Sequence, residues 1–279
     1  MSWPGPPPHP PWQERLRLAS RRGLDWIFPR RCPGCERVLS SAPDIRLPPP
    51  STDARANKAA LDTALTSRLC AACRDHLPWI TETRCQRCGE PYPGALDHPL
   101  HCWNCEDRPF AFEFATAGFR SEGLVRDLIH TFKYERHLEQ RSLLALMLSA
   151  ALQDPRLLRE DLAQWLLVPV PLHFSRRIVR EYNQSWELCR GLTRLTGIPS
   201  AQVLRRTRRT TSQASLDRRQ RLTNLRGAFS LRRQADVRDR RILLVDDVLT
   251  TGATTHECAR VLRRSGGAEK VVVITVGRG

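Results

Sequence analysis

The stretch from Ile242 to Thr254, ILLVDDVLTTGAT, decides how the rest of the chain is read. With Arg241 before it, it opens as an unbroken apolar run, RILLV, the pattern of a central parallel strand buried on both faces. Two carboxylates, Asp246 and Asp247, come directly at its carboxyl edge. Neighbouring acids are costly inside a core without partners. Where a strand is ending, the same pair can accept hydrogen bonds from vicinal ribose hydroxyls or from metal-bound water. Thr250, Thr251, Gly252, Ala253 and Thr254 then turn into the start of a helix. Backbone N–H groups, the helix dipole and threonine hydroxyls all favour a phosphate dianion there. Gly252 permits a close or positive-φ backbone, and the small Ala253 leaves the loop open. A capping turn explains the threonines and glycine but not the acids ahead of them.

Working outward, strand-like and helix-like segments alternate from residue 112 onward, as in an α/β fold with parallel strands. Strands are predicted over 112–119, 166–170, 241–245 and 270–276. Helices are predicted over 121–132, with Ser121 as N-cap, and over about 137–152, 184–195 and 254–264. A ligand of such a sheet sits at the carboxyl ends of its strands.

The thirteen residues resemble, over their whole length, the signature with which type I phosphoribosyltransferases bind 5-phosphoribosyl-1-pyrophosphate (PRPP). The resemblance implies that Asp246 and Asp247 bind the ribose hydroxyls and that Thr250 to Thr254 hold the 5-phosphate. Mg²⁺ is the expected companion, because a pyrophosphate ester suits a hard, oxygen-liking cation. The 1-pyrophosphate needs donors of its own. The strand end VPVPLH at 168–173 is followed by Arg176, Arg177 and Arg180, whose forked guanidinium groups match phosphate oxygens. Beyond them, 205–226 holds eight arginines and one acid with no sustained hydrophobic period. That composition predicts a stretch that is mobile without ligand. It fits three roles: a lid closing over PRPP, a nucleic-acid contact, or a solvated surface.

A length of 279 residues implies two domains, or one with a sizeable appendage, and the cysteines put the appendage at the N-terminus. Eight of ten lie between Cys32 and Cys105, as four Cys-x-x-Cys pairs: Cys32/Cys35, Cys70/Cys73, Cys85/Cys88 and Cys102/Cys105. Each pair can chelate one tetrahedral Zn²⁺ from a tight knuckle, so eight thiols imply two structural zincs. Pairing in sequence order closes the shortest loops, across thirteen residues between Cys88 and Cys102 and thirty-four between Cys35 and Cys70. His98 and His101 compete as ligands only if a cysteine is spare.

Residues 1–30 read as an arm with a basic amphipathic helix, either docked on the protein or lying on a membrane. The region 31–108 reads as a double zinc ribbon carrying a mobile insert at 40–68, and 109–279 as the α/β domain. No secretory signal and no apolar run long enough to span a membrane is present, which points to the cytoplasm, with the inner face of the inner membrane as a peripheral station. The formal charge of +16 suggests an anionic partner. Its distribution says more: 173–241 carries 18 arginines against five acids, a net of +13 beside the acidic pair.

The paired cysteines, GLVRDLIHTFKYERH at 123–137, VPVPLHFSRRIVREYNQS at 168–185, QASLDRRQRLTNLRGAF at 213–229 and the final ILLVDDVLTTGAT together resemble the ComF family of bacterial competence proteins. The family implies a double zinc ribbon fused to a type I phosphoribosyltransferase-like domain, a mostly parallel sheet with flanking helices. It also implies a place in natural transformation, with single-stranded DNA and competence-machinery proteins as partners. Lys133 falls in the family's LIHxxKY-like segment and is brought toward the ligand. Arg180-Glu181-Tyr182-Asn183 stands where the family's Arg-Gly-Phe-Asn is expected. A true transferase, a non-catalytic PRPP-sensing or DNA-handling protein, and a zinc-ribbon adaptor are the three competing functions. Only the first two explain Asp246 and Asp247.

Overall fold

A computed structural model of the chain describes residues 29–39, 53–81, 83–92, 102, 105, 110–134, 140–172, 182–208 and 225–279. The predicted arm and helix before residue 29, His98, His101, Arg176, Arg177 and Arg180 lie outside the described residues, as does most of the arginine-rich stretch.

Four parallel strands form the central sheet: β1 (Ala115–Arg120), β2 (Leu166–Pro169), β5 (Arg241–Leu249) and β6 (Lys270–Arg278), in the order β1-β6-β5-β2. Their unbroken apolar runs reflect two buried faces. Leu243, Val245, Val272 and Ile274 point into one core layer, and Ile242, Leu244, Val271 and Val273 into the other. The first layer receives α1 (Ala54–Leu65) and, beyond the short α2 (Ala71–Asp75), α3 (Gly123–Tyr134), α4 (Arg141–Leu148) with its 3-10 continuation Ser149–Gln153, and α5 (Gln184–Thr196). The second receives α6 (Ala253–Arg264) and the antiparallel pair β3 (Leu204–Arg206) and β4 (Phe229–Leu231). Among the described residues no helix is long and apolar enough to cross a membrane.

Chain direction positions the ligand cleft. After β2, helix α5 returns the chain to Ser200, which bridges in parallel to Leu167 on the outer side of β2. After β5, helix α6 leads the other way, to β6. Neighbouring strands β2 and β5 therefore send their connections in opposite directions, and their carboxyl ends part into a crevice, the general ligand position of open α/β sheets.

Two expectations are corrected. The mobile insert at 40–68 is helical over its second half: Asp53 caps α1 by accepting hydrogen bonds from the N–H groups of Arg55 and Ala56, and Leu61, Ala64 and Leu65 are buried. The Ala, Ser and Asp content taken for a linker is instead a good helix-forming run with its own cap. Nor does the arginine-rich stretch begin without structure, because Arg205 and Arg206 belong to β3, held by Phe229 and Ser230 of β4. The predicted helix over 137–152 tightens after Leu148 into 3-10 turns.

Two four-cysteine clusters and an acidic cleft

The cysteine pairs converge in sequence order. Cys32, Cys35, Cys70 and Cys73 form one cluster and Cys85, Cys88, Cys102 and Cys105 the other, with all sulfurs of a cluster within 4.8 Å of one another. Neighbouring sulfurs approach to 3.5 Å (Cys35–Cys70), 3.4 Å (Cys88–Cys102) and 3.8 Å (Cys85–Cys105). Tetrahedral Zn²⁺ with Zn–S near 2.3 Å requires sulfurs about 3.8 Å apart, so both donor sets fit. Burial pushes the Cys73 thiol up and the hydrogen bond to Cys85 does the same to Cys105, while hydrogen bonds within the clusters lower Cys70 to about 7 and lower Cys85, as expected of crowded thiols that share protons. In the first knuckle, a Cβ at Gly34 would meet the Cys73 sulfur at 2.9 Å, which explains a glycine between the ligands. The clusters belong to opposite core layers, Cys32 and Cys70 to that of α1 and α3, and the second set to that of α6.

The acidic pair is not at the end of its strand, as the sequence suggested. β5 continues through Asp246 and Asp247 to Leu249 on its β6 side, whereas on its other side the β2 ladder stops at Val245. The acids therefore remain fixed by one ladder while their other flank opens into the crevice. Asp247 is buried and receives the Lys133 ammonium at 2.8 Å. Asp246 Oδ1 accepts hydrogen bonds from Ser185 Oγ and from the N–H of Asp247, both at 3.0 Å. Burial, and then the neighbouring Asp247 charge, push the Asp246 carboxyl up to about 7, against the opposing pull of Lys133.

Lys133, Gln184, Ser185, Arg206 and the whole run 246–255 line a cleft of about 220 Å³. The last turn of α3, which carries Lys133, is tied to the start of α5: the Tyr182 hydroxyl donates to the Phe132 carbonyl and Gln184 Nε2 to that of Lys133. Tyr182, standing where phenylalanine was expected, thus contributes a hydrogen bond that phenylalanine lacks. Asn183 caps α5 through the N–H of Ser185, aiming the helix start and the Ser185 hydroxyl at Asp246. Ser185 and Arg206 were not singled out as site residues from sequence. An N-cap asparagine just after the strand–loop unit was the available signal for Ser185.

Gly252 begins α6 with φ +74° and, as the N-cap, offers no side-chain acceptor of its own to the helix amides. Residues 250–255 line the cleft, and the start of a helix at that place suits an anion. A Cβ at Gly252 would also meet the Phe110 ring at 2.9 Å. Gly252→Ala is expected to destabilise the ligand-free protein by about 1–3 kcal/mol, since a left-handed backbone and a ring contact both oppose the methyl group. Thermal denaturation checks this, and an unchanged melting temperature would contradict the tight Phe110–Gly252 packing.

The sheet, the cleft at its crevice and the paired clusters define a phosphoribosyltransferase-type domain joined to a double zinc ribbon. Residues 183–278 match the phosphoribosyl transferase domain model and residues 59–106 the double zinc ribbon model. The chain belongs to the ComF family. It is 32% identical to Competence protein F of Haemophilus influenzae over 72% of this chain and 93% of that protein. DNA utilization protein YhgH of Escherichia coli is 33% identical over 72% of this chain and 86% of its own length. Competence protein ComFC of Bacillus subtilis is 26% identical over 76% and 84%.

Proposed function

We propose that the cleft binds PRPP with Mg²⁺ and that the protein serves natural competence and DNA uptake through this ligand. The observation that carries the reading is the joining of the acidic pair, the 250–254 turn at the start of α6 and the Lys133 ammonium in one cleft. On this reading Asp246 and Asp247 take the ribose hydroxyls, and Thr250, Thr251, Gly252, Ala253 and Thr254 cradle the 5-phosphate. Lys133 leaves Asp247 for the pyrophosphate, aided by Arg176, Arg177 and Arg180. Mg²⁺ would neutralise the pyrophosphate oxygens. The eight paired cysteines hold two structural zincs. The relatives' names support the DNA connection, and a cytoplasmic site of action fits a phosphorylated ligand of this kind. Single-stranded DNA and competence-machinery proteins are the partners expected on this reading.

A PRPP titration with Mg²⁺ tests the ligand. At a hundredfold excess over Kd, a ligand that binds only the native state adds about 2.7 kcal/mol of stability, which for a chain of this size raises Tm by roughly 5–10 °C. No rise at any PRPP concentration would remove the reading. Pyrophosphate release with a nitrogen nucleophile would mark a transferase. Salt-sensitive capture of single-stranded DNA without release would mark a PRPP-sensing, DNA-handling role.

A further inference from the structure

The second cysteine cluster and the phosphate turn are joined by one buried cation. Arg278 is 4% exposed, and its guanidinium spans the seam between them. On one side Nε donates to the Cys88 carbonyl at 3.1 Å, Nη2 lies 3.8 Å from the Cys88 sulfur, and the group pairs with Glu90. On the other side Nη1 donates at 2.8 Å to the carbonyl of Leu249, the residue immediately before Thr250. Two further contacts run in parallel. Phe110, just beyond Cys105, closes on Gly252, and the N–H of Ala111 donates to Nδ1 of His256 at 3.0 Å. Burial holds the His256 pKa below its usual value, which favours the neutral ring that can accept this bond. The end of β5, the turn glycine and the first turn of α6 are thus all braced by the segments that carry the second cluster. Among the described residues the first cluster packs in the opposite core layer, beside Leu61 and Val125.

Four thiolates and one Zn²⁺ carry a net charge of −2, and such a site in a core layer requires donors directed at its sulfurs. Arg278 supplies a charged one. We infer that Arg278 is a positioning residue that couples zinc in the Cys85/Cys88/Cys102/Cys105 site to the phosphate turn, so that zinc there and the phosphorylated ligand bind cooperatively. The inference rests on the PRPP reading above. With zinc in place, the 85–90 knuckle fixes the guanidinium, and the guanidinium fixes the Leu249 carbonyl from which the turn departs. Without zinc the knuckle relaxes, the Leu249 carbonyl loses its fixed donor, and the turn amides lose their common aim. Coupling of this kind is reciprocal: whatever factor zinc gives to ligand affinity, the ligand returns to zinc affinity.

The full-length protein with both zincs bound tests this through two readouts other than turnover. In a zinc titration against a chromophoric chelator, saturating PRPP with Mg²⁺ should tighten one of the two zinc sites by at least about fivefold and leave the other unmoved, within the usual range of coupling. Arg278→Lys keeps a cation but cannot bridge Cys88 and Leu249 together. It should retain two zincs, bind PRPP at least about fivefold more weakly, and abolish the PRPP effect on zinc. A merely structural role would lower Tm and leave the PRPP Kd unchanged. If the lysine variant does not fold, the wild-type titration decides alone. Two zinc affinities that ignore PRPP, in a protein whose Tm PRPP raises, overturn the coupling. A wild type that never binds PRPP fails earlier and separately, at the ligand reading.

Discussion

Replacing Asp246 and Asp247 together with alanine should erase the stabilisation that PRPP with Mg²⁺ gives the wild-type protein. Both carboxylates lie at the only flank of β5 where the ladder to β2 has stopped, and the ribose hydroxyls have no comparable acceptors along the rest of the described cleft lining. The wild type should gain roughly 5–10 °C at saturation, the double variant about none. An equal rise in both proteins would place the ligand elsewhere. The ligand-free behaviour supplies an independent check. Because burial and Asp247 raise Asp246 to about 7 from an ordinary carboxylate value of 3.8, its protonated form is favoured by the fold. The resulting contribution to stability is complete below about pH 4 and is lost as pH rises through 7. Asp246→Asn, which cannot ionise, should therefore be more stable than wild type at pH 8, by an amount on the order of 4 kcal/mol, and no more stable at pH 4. A constant difference across that range would show that the carboxyl ionises normally.

Loss of the second zinc should be the most damaging single change. Cys85 is fully buried and its cluster belongs to the α6 core layer, so Cys85→Ser removes both a metal site and the knuckle that Arg278 ties to the end of β5. Structural zinc sites contribute on the order of 10 kcal/mol to small folds, comparable with the whole stability of a domain. The expected result is a fall from two zincs to one by metal analysis, with cooperative unfolding lost or displaced far downward. Cys35→Ser, at the exposed corner of the first cluster, should lose its zinc more gently. Wild-type protein purified without chelator that carries almost no zinc, and whose Tm ignores added chelator, would contradict both.

The features legible in the sequence are those that local physics dictates. A continuous apolar run ending in two acids has few other uses, and β5 lies where that run does. Paired cysteines at short spacing fold into knuckles whatever surrounds them, and loop closure then favours neighbours over distant pairs. Helix α1 was obscured because alanine and aspartate suit a linker as well as a capped helix. The decision came from Leu61 and Leu65 finding a core four residues apart on one face, which composition does not display. β3 and β4 were missed because three-residue strands leave no period to detect. Arg278 was beyond reach for a different reason: its partners include Cys88 and Leu249, far off in the sequence, and nothing local distinguishes a buried bridge from a solvated cation. Ser185 falls between these cases, since its cap neighbour Asn183 was visible but its aim at Asp246 depends on the crevice.

The order β1-β6-β5-β2 also bears on how the molecule is made. β6, which follows β1 and β5 in the chain, occupies an interior place in the sheet, hydrogen-bonded to β1 on one side and β5 on the other. During synthesis β1 and β5 must wait with open edges until residues 270–278 leave the ribosome, and both core layers remain unsealed until then. Such late, non-local pairing is slow and leaves apolar surface exposed to aggregation. The early cysteine knuckles can take up metal during that interval, giving the nascent chain two ordered corners before its sheet can close.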